Sequence, residues 1–246
     1  MSEMNSRVAI VTGASRGIGA AVAERLARDG LAVIVNYSSN AAPAEALVRK
    51  IEASGGRAVA AQADVADPVA VRRMFDSAES VFGGVDVLVN SAGLMTLTNV
   101  ADTDDAAFDR LMAINLKGTF NTLREAAKRL RSGGRIINLS SSVVGLLMPT
   151  YAIYGATKAA VETMTRVLAK ELRGRNITAN VVAPGPTATD LFLTGKSQEA
   201  IDRFAKAPPL ERLGQPQDIA GVVAFLAGPD GSWVNGQVLR ANGGLI

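Results

Sequence analysis

The chain has 246 residues, 48% of them hydrophobic but only 4% aromatic, and a formal net charge of +3. It contains neither cysteine nor histidine, which excludes disulfides, thiolate nucleophiles, histidine general bases and nearly all transition-metal sites. Its basic residues are dispersed and no apolar run reaches the roughly 20 residues of a membrane span, so the sequence reads as soluble and cytoplasmic, with no nucleic-acid and no membrane partner.

Met1 to Ser6 read as a disordered lead-in. Arg7 to Val11 has the pattern of a strand buried on both faces. It ends in Thr12-Gly13-Ala14-Ser15-Arg16-Gly17-Ile18-Gly19, and a helical pattern then continues through Arg28 to Gly30. The unit repeats with a strand at Ala32 to Asn36, a helix at Pro43 to Ser54 and a strand at Arg57 to Ala61. Asp67-Pro68 opens the next helix, with Asp as N-cap and Pro at the first position. Val85 to Val89 is a fourth strand, followed by a long helical region from Asp104 to Arg131. Gly133-Gly134 breaks that region before a fifth strand, Arg135 to Leu139. The helix carrying Tyr154 fades near Gly174, Ile177 to Ala183 is a sixth strand, Pro216 to Ala227 a last helix, and Gln237 to Arg240 a seventh strand.

This alternation predicts an α/β fold: a doubly wound, seven-stranded parallel sheet with helices on both faces. A (β/α)8 barrel is the main competitor at this length and needs one more unit. No linker or low-complexity run marks a second domain. The weakly patterned stretch Pro184 to Pro209 is long enough to act as a substrate lid, at about 185–209.

Gly13-x-x-x-Gly17-x-Gly19 lies where a phosphate cradle belongs, after the first strand and opening the first helix. Glycines allow close backbone approach, and the helix N-terminus supplies free amides and a positive dipole end. A turn glycine plus a helix-packing glycine is the plain structural alternative. An NAD site usually carries a carboxylate at the end of the second strand. Here that position reads Asn36-Tyr37-Ser38, which would not repel a 2′-phosphate, and Arg16 stands within reach of one. The pattern favours NADP(H); Arg16 as a solvated loop cation is the alternative.

Tyr154 and Lys158 are four apart, one turn along the same helix face. A nearby ammonium favours the phenolate, so the pair can serve as a general acid or base near neutral pH. A core aromatic beside a solvated lysine is the competing explanation for such a pair taken alone.

The glycine loop, Asn90-Ser91-Ala92-Gly93, Asn115, Ser141 and Tyr154-x-x-x-Lys158 occur in that order. Together they resemble the short-chain dehydrogenase/reductase family, in particular its single-domain branch and the 3-oxoacyl-carrier-protein reductase-like members. The resemblance covers almost the whole chain and also takes in Asp64-Val65, Pro184-Gly185, Val234-Asn235-Gly236-Gln237 and Asn242-Gly243-Gly244; Ser91 stands where the family often has a second Asn. It implies a single Rossmann-type domain over 1–246 that binds NADP(H). Tyr154 is then the general acid or base, Lys158 holds the nicotinamide ribose and lowers the phenol pKa, and Ser141 binds the substrate oxygen. Asn115 fixes a water linking Lys158 to solvent. The cofactor lies along Gly13, Ser15, Arg16, Gly17, Ile18 and Gly19, with Asn36 and Ser38 at its ribose. Asp64 and Val65 meet the adenine, Asn90, Ala92 and Gly93 line the fourth strand's end, and Pro184, Gly185 and Thr187 reach the nicotinamide. Ser142 is the runner-up to Ser141, and Tyr151 is either a pocket wall or core.

The implied activity is reduction of a carbonyl to an alcohol, or the reverse, on a small-molecule substrate. Carrier-bound acyl groups are one option, for which Lys128, Arg129 and Arg131, or Arg173 and Arg175, offer basic docking clusters. Leu94, Met95, Met148, Tyr151, Leu191 and Phe192 are candidate pocket linings, with no obligatory anion clamp. A nicotinamide-binding regulator without turnover is the alternative function, against which the intact Ser141, Tyr154 and Lys158 argue. The family pattern implies a homotetramer or homodimer.

Overall fold

A computed structural model describes residues 7–246, so the expected lead-in Met1 to Ser6 lies outside the described residues. Seven strands form one parallel sheet in the order β3-β2-β1-β4-β5-β6-β7. They are β1 (Val8–Thr12), β2 (Ala32–Tyr37), β3 (Arg57–Gln62), β4 (Val85–Asn90), β5 (Leu130–Leu139), β6 (Thr178–Pro184) and β7 (Val238–Ala241). The open sheet excludes the barrel.

The apolar strands are buried on both sides because each faces a helical layer. Ala9 and Val11 of β1 pack toward α1 (Gly17–Arg28), α2 (Ala41–Ala53) and α10 (Pro216–Ala227). Ile10, between them, packs toward the layer of α3 (Pro68–Phe82), α5 (Gly118–Arg129) and α7 (Ala152–Glu171). Alternation along the strand thus divides the core into two layers. Helix starts follow local chemistry. The Asp67 carboxylate caps α3 by accepting from Val69 N at 2.8 Å, with Pro68 in the first turn.

Most element ends shift by a residue or two, and two features depart further from the sequence expectation. β5 begins at Leu130, not at Arg135. Its pairing with β4 jumps from Val85↔Leu130 to Val87↔Arg135, so the intervening residues form a bulge within the strand. Gly133 takes φ +84° there, and a Cβ on Gly134 would lie 2.7 Å from the Leu130 side chain. The glycine pair therefore bends a strand that has already begun. The long helical region is also not uniform. Between α4 (Asp105–Leu111) and α5, the turn Met112–Lys117 widens to a π-helix and turns Asn115 inward, leaving it 1% exposed.

The chain winds from β1 to β2 and β3 on one side, then returns to place β4 on the other side of β1. At that reversal the loops leaving β1 and β4 diverge and open a crevice beyond the strand ends.

Candidate active site

The crevice is a cleft of about 620 Å³. Its first wall is the glycine loop, where Ser15, Arg16, Gly17 and Ile18 face the opening. Gly13 has φ +61°, and a Cβ there would stand 2.7 Å from the Ala92 backbone. A Cβ on Gly19 would collide with the Gly13 carbonyl and lie 3.0 Å from Ala14 Cα. Both positions therefore require glycine. Arg16 is the N-cap of α1 but makes no side-chain cap bond, which leaves the first amides of the helix directed at the cleft.

Asn36, at the end of β2, touches the cleft but is only 1% exposed. Its Oδ1 accepts from Gly13 N at 3.1 Å, and its Nδ2 donates to Ala61 O and Ala63 O at 3.2 and 3.0 Å. Its amide thus holds the glycine loop to β2 and β3. The freely available groups at this corner are Tyr37, Ser38 and Ser39, followed by Asp64 and Val65 across the cleft. Ala92 and Gly93 line the wall above β4, where Thr12 Oγ1 accepts from Ser91 N and Ala92 N, each at 3.1 Å. Asn90 lies below the wall. Its Nδ2 donates to Asn138 at 2.8 Å and its Oδ1 accepts from Thr122 at 2.7 Å, tying β4, β5 and α5 together. Pro184, Gly185 and Thr187 close the far end.

The reacting groups gather where β5 meets α7. Tyr154 is 9% exposed and Lys158 7%. Lys158 Nζ donates to Leu139 O at 3.0 Å and sits over the Tyr154 ring, 5.7 Å from its centroid. The ammonium therefore faces the ring and not the hydroxyl. Burial pushes the Tyr154 phenol up to about 12 against the opposing Ser141 hydrogen bond, and burial pulls the Lys158 ammonium down to about 8. The expected lowering of the phenol by Lys158 gives way to desolvation in this arrangement. Of three consecutive serines, Ser141 is the one whose hydroxyl acts on the phenol, opposing its upward shift, and it lines the cleft beside it. Ser142 accepts from Asn242 at 3.1 Å and Ser140 donates to Glu162 at 2.7 Å. Tyr151 stands edge-on to Tyr154, with ring centroids 6.5 Å apart.

Asn115 does not open on the cleft. Its Oδ1 accepts from Leu94 N and its Nδ2 donates to Leu94 O, both at 2.9 Å, with Thr157 Oγ1 at 3.3 Å. It clamps the loop segment that follows Gly93 to the π turn.

Leu94, Met95, Met148, Tyr151, Leu191 and Phe192 all border the cleft. Sequence reasoning missed Leu146, Phe204 and the rim charges Arg110 and Asp190. Phe204 of α9 (Gln198–Lys206) could have been found from its amphipathic setting, since it meets Phe192 edge-on at 5.2 Å. Arg110 carried no signal, because a cation on α4 reads as a solvated face. Among the described residues there is no metal-binding cluster and no helix long and apolar enough to cross a membrane.

A protein-family model described as enoyl-(acyl carrier protein) reductase matches residues 13–246. A Picea abies protein named short-chain type dehydrogenase/reductase is 50% identical, covering 99% of this chain and 93% of its own. An Arabidopsis thaliana protein named NADPH-dependent aldehyde reductase-like protein, chloroplastic, is 47% identical, covering 98% of this chain and 94% of its own. The crystal structure of a short chain dehydrogenase from Burkholderia cenocepacia in complex with NADP superposes with a TM-score of 0.92 at 39% identity, covering 99% of both chains.

Proposed function

The chain belongs to the short-chain dehydrogenase/reductase family, and on that premise we propose that it reduces a small-molecule carbonyl to an alcohol, or runs the reverse, with Tyr154 as general acid or base. It is an NADP(H)-dependent oxidoreductase of the carbonyl-reductase type. The residues present fit that cofactor. The glycine loop packs too closely for any Cβ at Gly13 or Gly19, the Arg16 guanidinium makes no hydrogen bond or ion pair among the described residues, and no carboxylate stands at the end of β2. Arg16 would hold the 2′-phosphate, the loop and α1 amides the pyrophosphate, and Lys158 the ribose. Bound NADPH supplies the hydride.

The observation that carries the reading is the joining of Ser141, Tyr154 and Lys158 at one end of the cleft. Ser141 donates to the substrate oxygen and orients it toward the phenol. With its pKa raised by burial, Tyr154 holds its proton at neutral pH and delivers it to the oxygen as the carbonyl carbon is reduced. The Lys158 ammonium offsets the charge left on the phenolate. In the reverse direction the same groups take the alcohol proton. Asn115 keeps Leu94 and the wall beside Gly93 in place.

The apolar side of the cleft suits an acyl or ring substituent. The narrower proposal is a 3-oxoacyl-carrier-protein reductase-like substrate. A carrier would have to dock without Arg129 and Arg131, because Arg129 pairs with Asp76 and Glu79 and Arg131 with Asp86. Free aldehydes, ketones and quinones need no such dock. Residues 185–209, with Leu191, Phe192 and Phe204 against the opening, are the proposed lid. A homodimer or homotetramer is the proposed assembly, supported by the uncovered β7 edge and by Trp233, 97% exposed; sedimentation at micromolar concentration tests it.

The deciding experiment follows NADPH and NADH oxidation against aldehydes, diketones, quinones, sugars and 3-oxoacyl thioesters, with Tyr154→Phe in parallel. Turnover with NADPH is expected, and the variant should lose about 10²–10⁴ in rate. NADPH binding with no turnover on any substrate in either direction would return the regulator reading.

A further inference from the structure

One face of α7 carries Tyr154, Lys158 and Glu162 at four-residue spacing, and each meets a different consecutive residue of the β5 end. Lys158 Nζ donates to Leu139 O at 3.0 Å, Ser140 Oγ donates to Glu162 Oε1 at 2.7 Å, and Tyr154 shares the cleft wall with Ser141. Ser140 is 4% exposed, and its other acceptor, Lys158 O, is at 3.5 Å, the limit of a hydrogen bond. The carboxylate is therefore the strong partner. Among the described residues Glu162 makes no ion pair that would give it another task. It lines a second cavity that Ser141, Arg166 and Arg240 also border.

We propose that Glu162 is a positioning residue for the reaction, acting through Ser140 on Ser141. Successive side chains of an extended segment point to opposite sides. Holding the Ser140 hydroxyl against Glu162 of α7 fixes the peptide that joins it to Ser141, and with it the direction of the Ser141 side chain. Without that hold, the peptide between them can rotate and Ser141 loses its aim, while the cofactor walls stay unchanged. This inference rests on the proposed carbonyl-reductase reading, in which Ser141 orients the substrate oxygen.

The test measures single-turnover hydride transfer from NADPH, NADPH affinity and melting temperature for Glu162→Ala, Glu162→Gln and Ser140→Ala, each also combined with Ser141→Ala. Displacing a reacting group slightly is costly, so Glu162→Ala should lose about tenfold or more in rate, with NADPH affinity near the parent and the melting temperature lowered by no more than the loss of one buried hydrogen bond. Glu162→Gln keeps an acceptor and should recover most of the rate. Ser140→Ala, a small change that should fold, should reproduce the Glu162→Ala loss without adding to it. In the Ser141→Ala background neither substitution should cost anything further. An unchanged rate in Glu162→Ala and Ser140→Ala overturns the proposal, as does an equal loss with and without Ser141. Tyr154→Phe keeping full activity would instead overturn the reaction reading, so the two failures are distinguishable.

Discussion

Asn36 Oδ1 and the Gly13 amide are bonded at 3.1 Å, so the penultimate residue of β2 is a strut of the glycine loop. Its Nδ2 donates at once to Ala61 O and Ala63 O. Asn36→Asp would keep the acceptor but set a carboxylate oxygen against two buried carbonyls. We expect a loss of about 1–3 kcal/mol in denaturant unfolding and weaker binding of NADPH and NADH alike. Ser38→Asp, at the exposed rim of the same wall, should leave stability intact and weaken NADPH selectively. Fluorescence titration of both cofactors checks the contrast; a clean switch to NADH in Asn36→Asp would contradict it.

Arg16 gives the companion test. Its guanidinium is the cation in the loop, and hydrogen bonds to charged groups contribute about 1.5–3 kcal/mol. Arg16→Ala should therefore raise the NADPH dissociation constant by roughly 10- to 150-fold and leave NADH nearly unchanged. Equal losses for both cofactors would mean that the 2′-phosphate sits elsewhere.

The loop also separates two glycines. A methyl at Gly19 meets backbone atoms of Gly13 and Ala14, which cannot yield without unmaking the loop. A methyl at Gly17 meets only the Thr189 side chain at 3.4 Å, and its cost is the positive φ of 56°. Gly19→Ala should abolish cofactor binding. Gly17→Ala should fold and bind NADPH with an affinity reduced only moderately, as isothermal titration would report.

The sheet and its winding were legible because buried parallel strands leave continuous apolar runs, as at Ala32 to Val35, and because caps such as Asp67-Pro68 mark helix starts. The Tyr154–Lys158 pair and the glycine loop could be located from their spacing, but each alone had a plain structural alternative, and only their order with Asn90, Asn115 and Ser141 pointed to one site. Less visible were features set by tertiary context. The Asn115 turn has the composition of an ordinary helix, and only packing against Leu94 explains its widening. The start of β5 at Leu130 was hidden by Gly133-Gly134, which reads as a terminator but acts as a bulge. The pKa of Tyr154 was misjudged because spacing supplied the cation but not the burial, and burial dominates.

At the other end of the sheet, Asp86 is the counterion of a basic cluster. Its carboxylate accepts from Val8 N at 2.7 Å and from Arg131 at 2.9 Å, and Arg7 is close enough to feel both Asp86 and Arg131. Asp86→Ala would leave Arg7 and Arg131 without that carboxylate. The expected loss is about 1–3 kcal/mol, set mainly by the buried Val8 amide left without its acceptor, because Arg131 is exposed enough for solvent to screen its pair. Rates measured well below the melting temperature should stay near the parent, because the cleft lies at the opposite strand ends.

Lys158 links activity to stability through pH. Burial holds its ammonium at about 8 in the protein without cofactor, below the ordinary 10.5. Between those values the unfolded chain binds more protons than the folded one, so this residue makes stability rise with pH across the window. Below about 8 both states are protonated and the folded state carries the full burial penalty, on the order of 3 kcal/mol. Lys158→Met removes that penalty and also the bond to Leu139 O, itself worth about 1.5–3 kcal/mol as a charged hydrogen bond. The variant should therefore match or exceed the parent in stability at pH 7, and its relative standing should fall toward pH 10. Catalysis should move the other way. In the reductive direction kcat/KM should decline as pH rises through about 8, when the ammonium loses its charge, whereas the Tyr154 phenol at about 12 keeps its proton throughout. Paired urea unfolding and pH–rate profiles from pH 6 to about 10 check both signs. A parent enzyme whose stability falls between pH 8 and 10 while Lys158→Met falls in parallel would show that the ammonium is not penalised by burial, and the catalytic inflection would then need another group.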